Sequence, residues 1–97
     1  MLFEWDEVKS RRNLLKHGIG FETAKLVFDD PYSFSVRDRF VEGEERWQTL
    51  GMIGGEVVMV AHTHRDEGED LVTRIISARK ATPTERKAYA EAYEASS

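Results

Sequence analysis

The spacing of apolar residues changes repeatedly along this chain, and each change predicts an element boundary. Leu2 to Trp5 alternates with the period of a short strand. Asp6 then stands where a helix N-cap should stand. Glu7 follows in the first turn, where the helix dipole favours negative charge. Val8 and Leu15 share a face at helical spacing, and Leu14 widens it. This helix is predicted to run through Lys16 and His17 to Gly18, which supplies the left-handed residue that ends it. Phe21, Ala24 and Phe28 form an i, i+3, i+7 stripe and predict a second helix over Phe21–Phe28. Asp29-Asp30-Pro31 stops it, because the residue before a proline is pushed out of the helical region. So short a connection makes the pair a tight αα-hairpin.

Beyond Pro31 the pattern is mainly that of strands. Tyr32 to Arg37 reads as one, followed by a charged loop through Gly43. Arg46 to Ile53 is the next, and Gly54-Gly55 is a strong two-residue hairpin signal. Val57 to Arg65 returns, and an acidic loop over Asp66–Asp70 leads into Leu71 to Arg79. Thr82-Pro83-Thr84-Glu85 is a capping box with proline at the first helical position. The helix it opens should reach about Glu94, with Ser96 and Ser97 frayed. The order β-α-α-β-β-β-β-α predicts an α+β domain with an antiparallel sheet of at least four strands. The hairpin should bury both apolar stripes on one face of that sheet, leaving the other face free for a substrate or partner.

With 97 residues, the chain fits a single domain over 1–97. The lack of cysteine excludes a disulfide framework, a thiolate nucleophile and a Cys-ligated zinc site. No apolar run approaches membrane-spanning length, and Met1 to Asp6 lacks a secretory pattern. A cytoplasmic location is therefore expected. The net charge of −4 argues against a purely electrostatic nucleic-acid binder, but the charges are unevenly placed. Between Arg37 and Asp70 nine acids face four bases, whereas from Leu71 onward five bases face three acids. The first helix adds Lys9, Arg11, Arg12 and Lys16. Both ends thus offer cations around acidic middle loops.

Three groups could carry chemistry. Lys9, Lys16 and His17 on the first helix form either a solvated basic face or a contact for RNA phosphates. On the Val57–Arg65 strand, alternation puts His62 and His64 on one face. No third ligand stands at a helpful spacing, so no metal is expected there, but histidine suits proton transfer near neutral pH. In Arg74-Ile75-Ile76-Ser77-Ala78-Arg79-Lys80 the two isoleucines face opposite sides, as in a central strand buried on both faces. Arg74 and Arg79 should then differ in facing. Arg79, at the strand exit beside a helix N-terminus, suits an anion site, as an alternative to pairing with a carboxylate. Arg46 has the same two readings.

Taken together these residues resemble a family. Phe3-Glu4-Trp5-Asp6, Asn13-Leu14-Leu15-Lys16-His17-Gly18-Ile19, Phe21-Glu22 and Val27-Phe28-Asp29-Asp30-Pro31 look like the start of the BrnT toxins. Gly43-Glu44-Glu45-Arg46, Val60-Ala61-His62-Thr63 and Arg74 through Ala81 continue the likeness in order and spacing, as do Glu85, Arg86 and Tyr89. The resemblance runs over roughly residues 2 to 93, leaving a variable middle at Ser35–Glu42. It implies a RelE-like fold and a ribonuclease toxin that stops translation. It also implies a BrnA-like ribbon-helix-helix antitoxin, a two-plus-two complex, and operator DNA bound only through that antitoxin.

The chemistry expected of such a chain is metal-independent cleavage by the ribose 2′-hydroxyl, with no cofactor. Arginine's planar fork suits the phosphate, and Arg79 and Arg46 are the first candidates, with Arg74 behind them. His62 is the candidate for proton transfer and His17 the alternative. Glu45 is a further candidate, as base or as orienter of Arg46. Lys9, Lys16, Arg74 and Lys80 are expected along the RNA path. The rival is a non-catalytic module that engages a ribbon-helix-helix partner and modulates its DNA binding. Convergence of cations from different strands on one open face would favour the enzyme.

Overall fold

A computed structural model describes residues 1–96. The elements are β1 (Leu2–Glu4), α1 (Glu7–His17), α2 (Phe21–Ala24), β2 (Phe34–Val41), β3 (Glu44–Ile53), β4 (Glu56–Glu67), β5 (Asp70–Lys80) and α3 (Pro83–Ser96). The caps form where the sequence places them. The Asp6 carboxylate accepts from the Val8 and Lys9 backbone N–H groups, and Gly18 closes α1 at φ 75°. Thr82 and Glu85 satisfy each other's backbone N–H groups at the start of α3. That helix runs two residues past Glu94, and the Ser96 hydroxyl donates to the Ala92 carbonyl. Ser97, expected to fray, lies outside the described residues.

The sheet order is β1-β5-β4-β3-β2, so β4 rather than β5 is central. Consecutive strands pair antiparallel, as short connections require. β1 is the exception and runs parallel to β5, with Leu2, Phe3 and Glu4 opposite Val72, Thr73 and Arg74. Residues 5–69 separate the two strands, so no hairpin constrains their direction. The long charged loops expected at 38–43 and 66–70 shrink to tight turns. β2 continues to Val41, and Glu42 and Gly43 both take positive φ, 50° and 79°. Such turns match the twist of the flanking strands, which lets the charged residues extend the hairpin.

Burial of the helices departs from expectation in an instructive way. α1 does not bury Val8 and Leu15; they are 46% and 88% exposed. It buries Ser10 and Asn13 instead. The Asn13 amide donates to the Ile19 and Ala78 carbonyls and accepts from the Ala78 N–H, while Ser10 Oγ accepts from the Phe21 N–H. β1 pairs with β5 only through Arg74, so the β5 edge beyond it has free backbone groups, and Asn13 supplies the missing partners at Ala78. α1 is therefore anchored by directional hydrogen bonds rather than by an apolar stripe.

The second helix is also shorter than predicted. After Ala24 the chain tightens into a 3-10 segment over Lys25–Asp29. Three residues per turn align Phe21, Ala24 and Val27, all 0% exposed, whereas an α-helix would have aligned Phe28 with them. Val27 is thereby pressed onto β3. A Cβ at Gly51 would lie 2.8 Å from both Val27 Cβ and the Val27 carbonyl oxygen. Gly51→Ala is expected to lower stability by about 1–3 kcal/mol, because two backbones meet there and neither can yield cheaply. A thermal midpoint equal to wild type would show that the contact relaxes freely.

The core has two parts. On the helix-bearing face Val58, Val60, Ile75 and Ala78 pack against Ile19, Phe21, Ala24 and Val27. On the second face Leu50, Val57 and Met59 pack under Ala81 and Tyr89. This second face is thus not wholly free, since α3 covers its β3–β4 hairpin end. Asp30 ties the parts together by accepting from Tyr89 Oη and from the backbone N–H groups of Met52 and Tyr32. Those three donors hold its carboxyl below the usual range against the opposing effect of burial.

Candidate active site

The facing of the β5 cations is set by a bulge. Ala61 pairs with Ser77, but the next residue of β4, His62, pairs with Ile75, so Ile76 is the extra residue. Strict alternation assigns Arg74 and Arg79 to opposite faces. The extra residue cancels that, and both share the second face with Thr63 and Met59, their partners on β4. On β3, Trp47 faces with His62 and Thr49 with Val60, so Glu44, Arg46 and Gln48 belong to the second face.

The part of this face that α3 leaves open is a cleft of about 320 Å³. Lys9 from α1, Arg46 from β3 and Arg74 from β5 line it, with Glu44 and Glu42 at the β2–β3 turn and the bulged Ile76 in its wall. Three acids offset the three cations, but two are engaged. Asp6 caps α1, and Glu44 accepts from Arg74 Nη2 at 2.5 Å. Neither the Lys9 ammonium nor Arg46 has an ion-pair partner among the described residues. Arg46 Nε is buried without a hydrogen-bond partner. An unsatisfied donor of this kind costs about 1–3 kcal/mol and is uncommon in a folded chain.

Other predicted site residues lie elsewhere. Arg79 is on the cleft's face, but its guanidinium makes a bidentate contact with Glu85 at 2.7 and 3.1 Å. The same Glu85 caps the Thr82 N–H, so Arg79 fastens α3 to the sheet, and this contact holds the Glu85 carboxyl below its usual range. Arg79→Ala is expected to lower stability by about 1–2 kcal/mol, read as a lower thermal midpoint, because the pair is bidentate and partly buried. An unchanged midpoint would remove it from that role.

His62 is 0% exposed on the helix-bearing face. Its Nε2 shares a hydrogen bond with Thr49 Oγ1 at 2.7 Å, and that hydroxyl contacts Ser35 Oγ. Phe28 packs edge-on against the ring, and His64 lies 4.6 Å away, centroid to centroid. Burial and the neighbouring imidazole push His62 down to about 4, so it is neutral at pH 7. The sheet separates it from the cleft, and proton transfer there is beyond its reach. Glu45 points to the same face as Trp47 and pairs with Arg37, so it cannot orient Arg46, its neighbour on the strand. His17 is at the far end of α1, about 12 Å along the axis from Lys9. Lys16 is exposed on α1, and Lys80, exposed at the end of β5, is 4.0 Å from Glu56. The residue that sequence reasoning passed over is Glu44. Its neighbours in the quoted motif were visible, but its opposition to Arg74 depends on a register between strands not adjacent in the sheet.

A family model described as "ribonuclease toxin, BrnT, of type II toxin-antitoxin system" matches residues 5–85. The chain belongs to the BrnT family. That membership implies ribonuclease toxicity and an antitoxin partner. No curated protein gives a match. Lys9, Glu44, Arg46 and Arg74 all fall within the span of the BrnT match, which ends at Glu85 in the first turn of α3. No helix of the described residues is long and apolar enough to cross a membrane.

Proposed function

We propose that this BrnT-family chain is a metal-independent endoribonuclease of the cytoplasm that stops translation by cutting RNA in the cleft between α1, β3 and β5. The fold is read as RelE-like, and the partner as a BrnA-like ribbon-helix-helix antitoxin in a two-plus-two complex. The observation that carries the site is the convergence of Lys9, Arg46 and Arg74 from three separate elements, with a buried donor of Arg46 unpartnered. This convergence supports the enzyme over a non-catalytic module.

In this reading Arg46 and Arg74 hold the scissile phosphate and stabilise the charge that develops on its oxygens. A phosphate competes with Glu44 for Arg74. The released Glu44 carboxylate takes the proton of the ribose 2′-hydroxyl as O2′ bonds to phosphorus. The P–O5′ bond breaks, and O5′ takes a proton from water at the cleft mouth. The products are a 2′,3′-cyclic phosphate and a 5′-hydroxyl end. Purified chain is expected to make these ends in the presence of EDTA. Strict dependence on added divalent metal, or 3′-hydroxyl products, would overturn the mechanism.

A further inference from the structure

The outer face of α1 has no folding duty. Ser10 and Asn13 point inward, and at 100° per residue the opposite side of the helix presents Val8, Arg11, Arg12 and Leu15. Val8 and Leu15 are one heptad apart and form a short apolar seam. Four exposed cations, Lys9, Arg11, Arg12 and Lys16, surround it, and none has an ion-pair partner among the described residues. In a chain of net charge −4, this helix has four cations against one acid.

We propose that this face docks an acidic amphipathic helical segment of the antitoxin, with apolar residues against Val8 and Leu15 and carboxylates against Arg11 and Arg12. The antitoxin partner rests on membership of the family; the shape and charge of the segment rest on α1. A second copy of this chain fits poorly, because a two-fold contact would set Arg11 and Arg12 against their own equivalents. RNA would satisfy the cations but gain little from an 88% exposed leucine. A protein helix with acidic flanks fits both. Lys9 lies on one flank of this face and also lines the cleft, so the docked segment reaches the cleft rim. Neutralisation then follows from occupying the approach that a phosphate would use.

The experiment measures calorimetric affinity for the antitoxin encoded beside the toxin gene, using full-length wild type, Leu15→Glu and the double variant Arg11→Glu/Arg12→Glu. These positions are exposed, and thermal midpoints confirm that each variant folds. Both variants are expected to bind at least about tenfold more weakly, with a smaller salt dependence for the double variant, as loss of steering and seam contacts implies. RNA cleavage by the free variants is expected to match wild type. Wild-type affinity in both variants would overturn the proposal. So would a loss of cleavage with antitoxin affinity intact, which would make this an RNA face, or self-association of wild type abolished by Leu15→Glu with antitoxin binding unchanged. Because affinity is read separately from cleavage, a failure of the proposed nuclease mechanism is distinguishable from a failure of docking.

Discussion

Arg46→Ala is expected to relieve growth inhibition and slow RNA cleavage by one to two orders of magnitude, roughly 10- to 150-fold, while leaving the thermal midpoint unchanged or raised. Two effects oppose each other in stability. The alanine variant loses the packing of the arginine stem. It also removes a buried Nε donor that has no partner, which relieves about 1–3 kcal/mol of desolvation cost. The functional loss has no such offset. A charge-assisted contact to phosphate contributes about 1.5–3 kcal/mol, and if it strengthens in the transition state its removal slows cleavage roughly 10- to 150-fold. Arg46→Lys keeps the charge but not the planar fork, and should recover only part of the rate. Growth after expression without antitoxin, cleavage of a defined RNA, and the midpoint of the purified variant are the three readouts. Full cleavage by Arg46→Ala would take the residue out of the site. A large fall in midpoint would reassign it to the fold.

The second large effect is one of acid on stability. His62 is held neutral in the folded chain, with its proton affinity depressed from 6.5 to about 4. Below pH 6.5 the unfolded chain takes up a proton that the folded chain refuses until about pH 4. Protonation therefore favours unfolding throughout that window, and His62's stabilising contribution is complete only above it. At 1.36 kcal/mol per pH unit, the loss reaches about 2 kcal/mol at pH 5 and about 3 kcal/mol near pH 4. His64 shifts in the same direction through burial and adds to the slope. The carboxylates of Asp30 and Glu85 are held below their ordinary values of 3.8 and 4.5, and the loss they contribute sets in as pH falls toward those ordinary values, so little of it lies above pH 5. Denaturant unfolding at pH 7, 6 and 5 tests this. A flat stability from pH 7 to 5 would sink it, and His62→Gln should flatten most of the slope.

What could be read from sequence was local chemistry. Asp6, Gly18, the Thr82–Glu85 box and the Gly54-Gly55 turn each satisfy a requirement within a few residues, and all four behave as expected. What could not be read depended on distant partners. Asn13 is an inward-facing anchor because Ala78, 65 residues away, presents an unpaired edge. Val27 takes the fully buried position, with Phe28 packed half-buried at the core's edge, because the coil tightens against Gly51. Arg74 and Arg79 share a face because one unpaired residue, Ile76, interrupts alternation. Arg46 was identifiable as a candidate, but its placement with Lys9 and Arg74 depends on sheet order and strand register. Arg79 satisfied every local criterion for an anion site, and Glu85 fills that site from within the chain.

The polar anchoring of α1 has a consequence for divergence. A helix seated by packed side chains passes any change in its core face on to the rest of the interior. Ser10 and Asn13 instead fix α1 through four hydrogen bonds, none of which involves the outward residues. Substitutions at Val8, Arg11, Arg12 and Leu15 are therefore close to neutral for folding. Gene duplicates can then vary the proposed docking surface, each tracking a different antitoxin, while the scaffold beneath stays constant. Insulation between coexisting pairs would arise from a patch of one helix without re-engineering the rest of the fold.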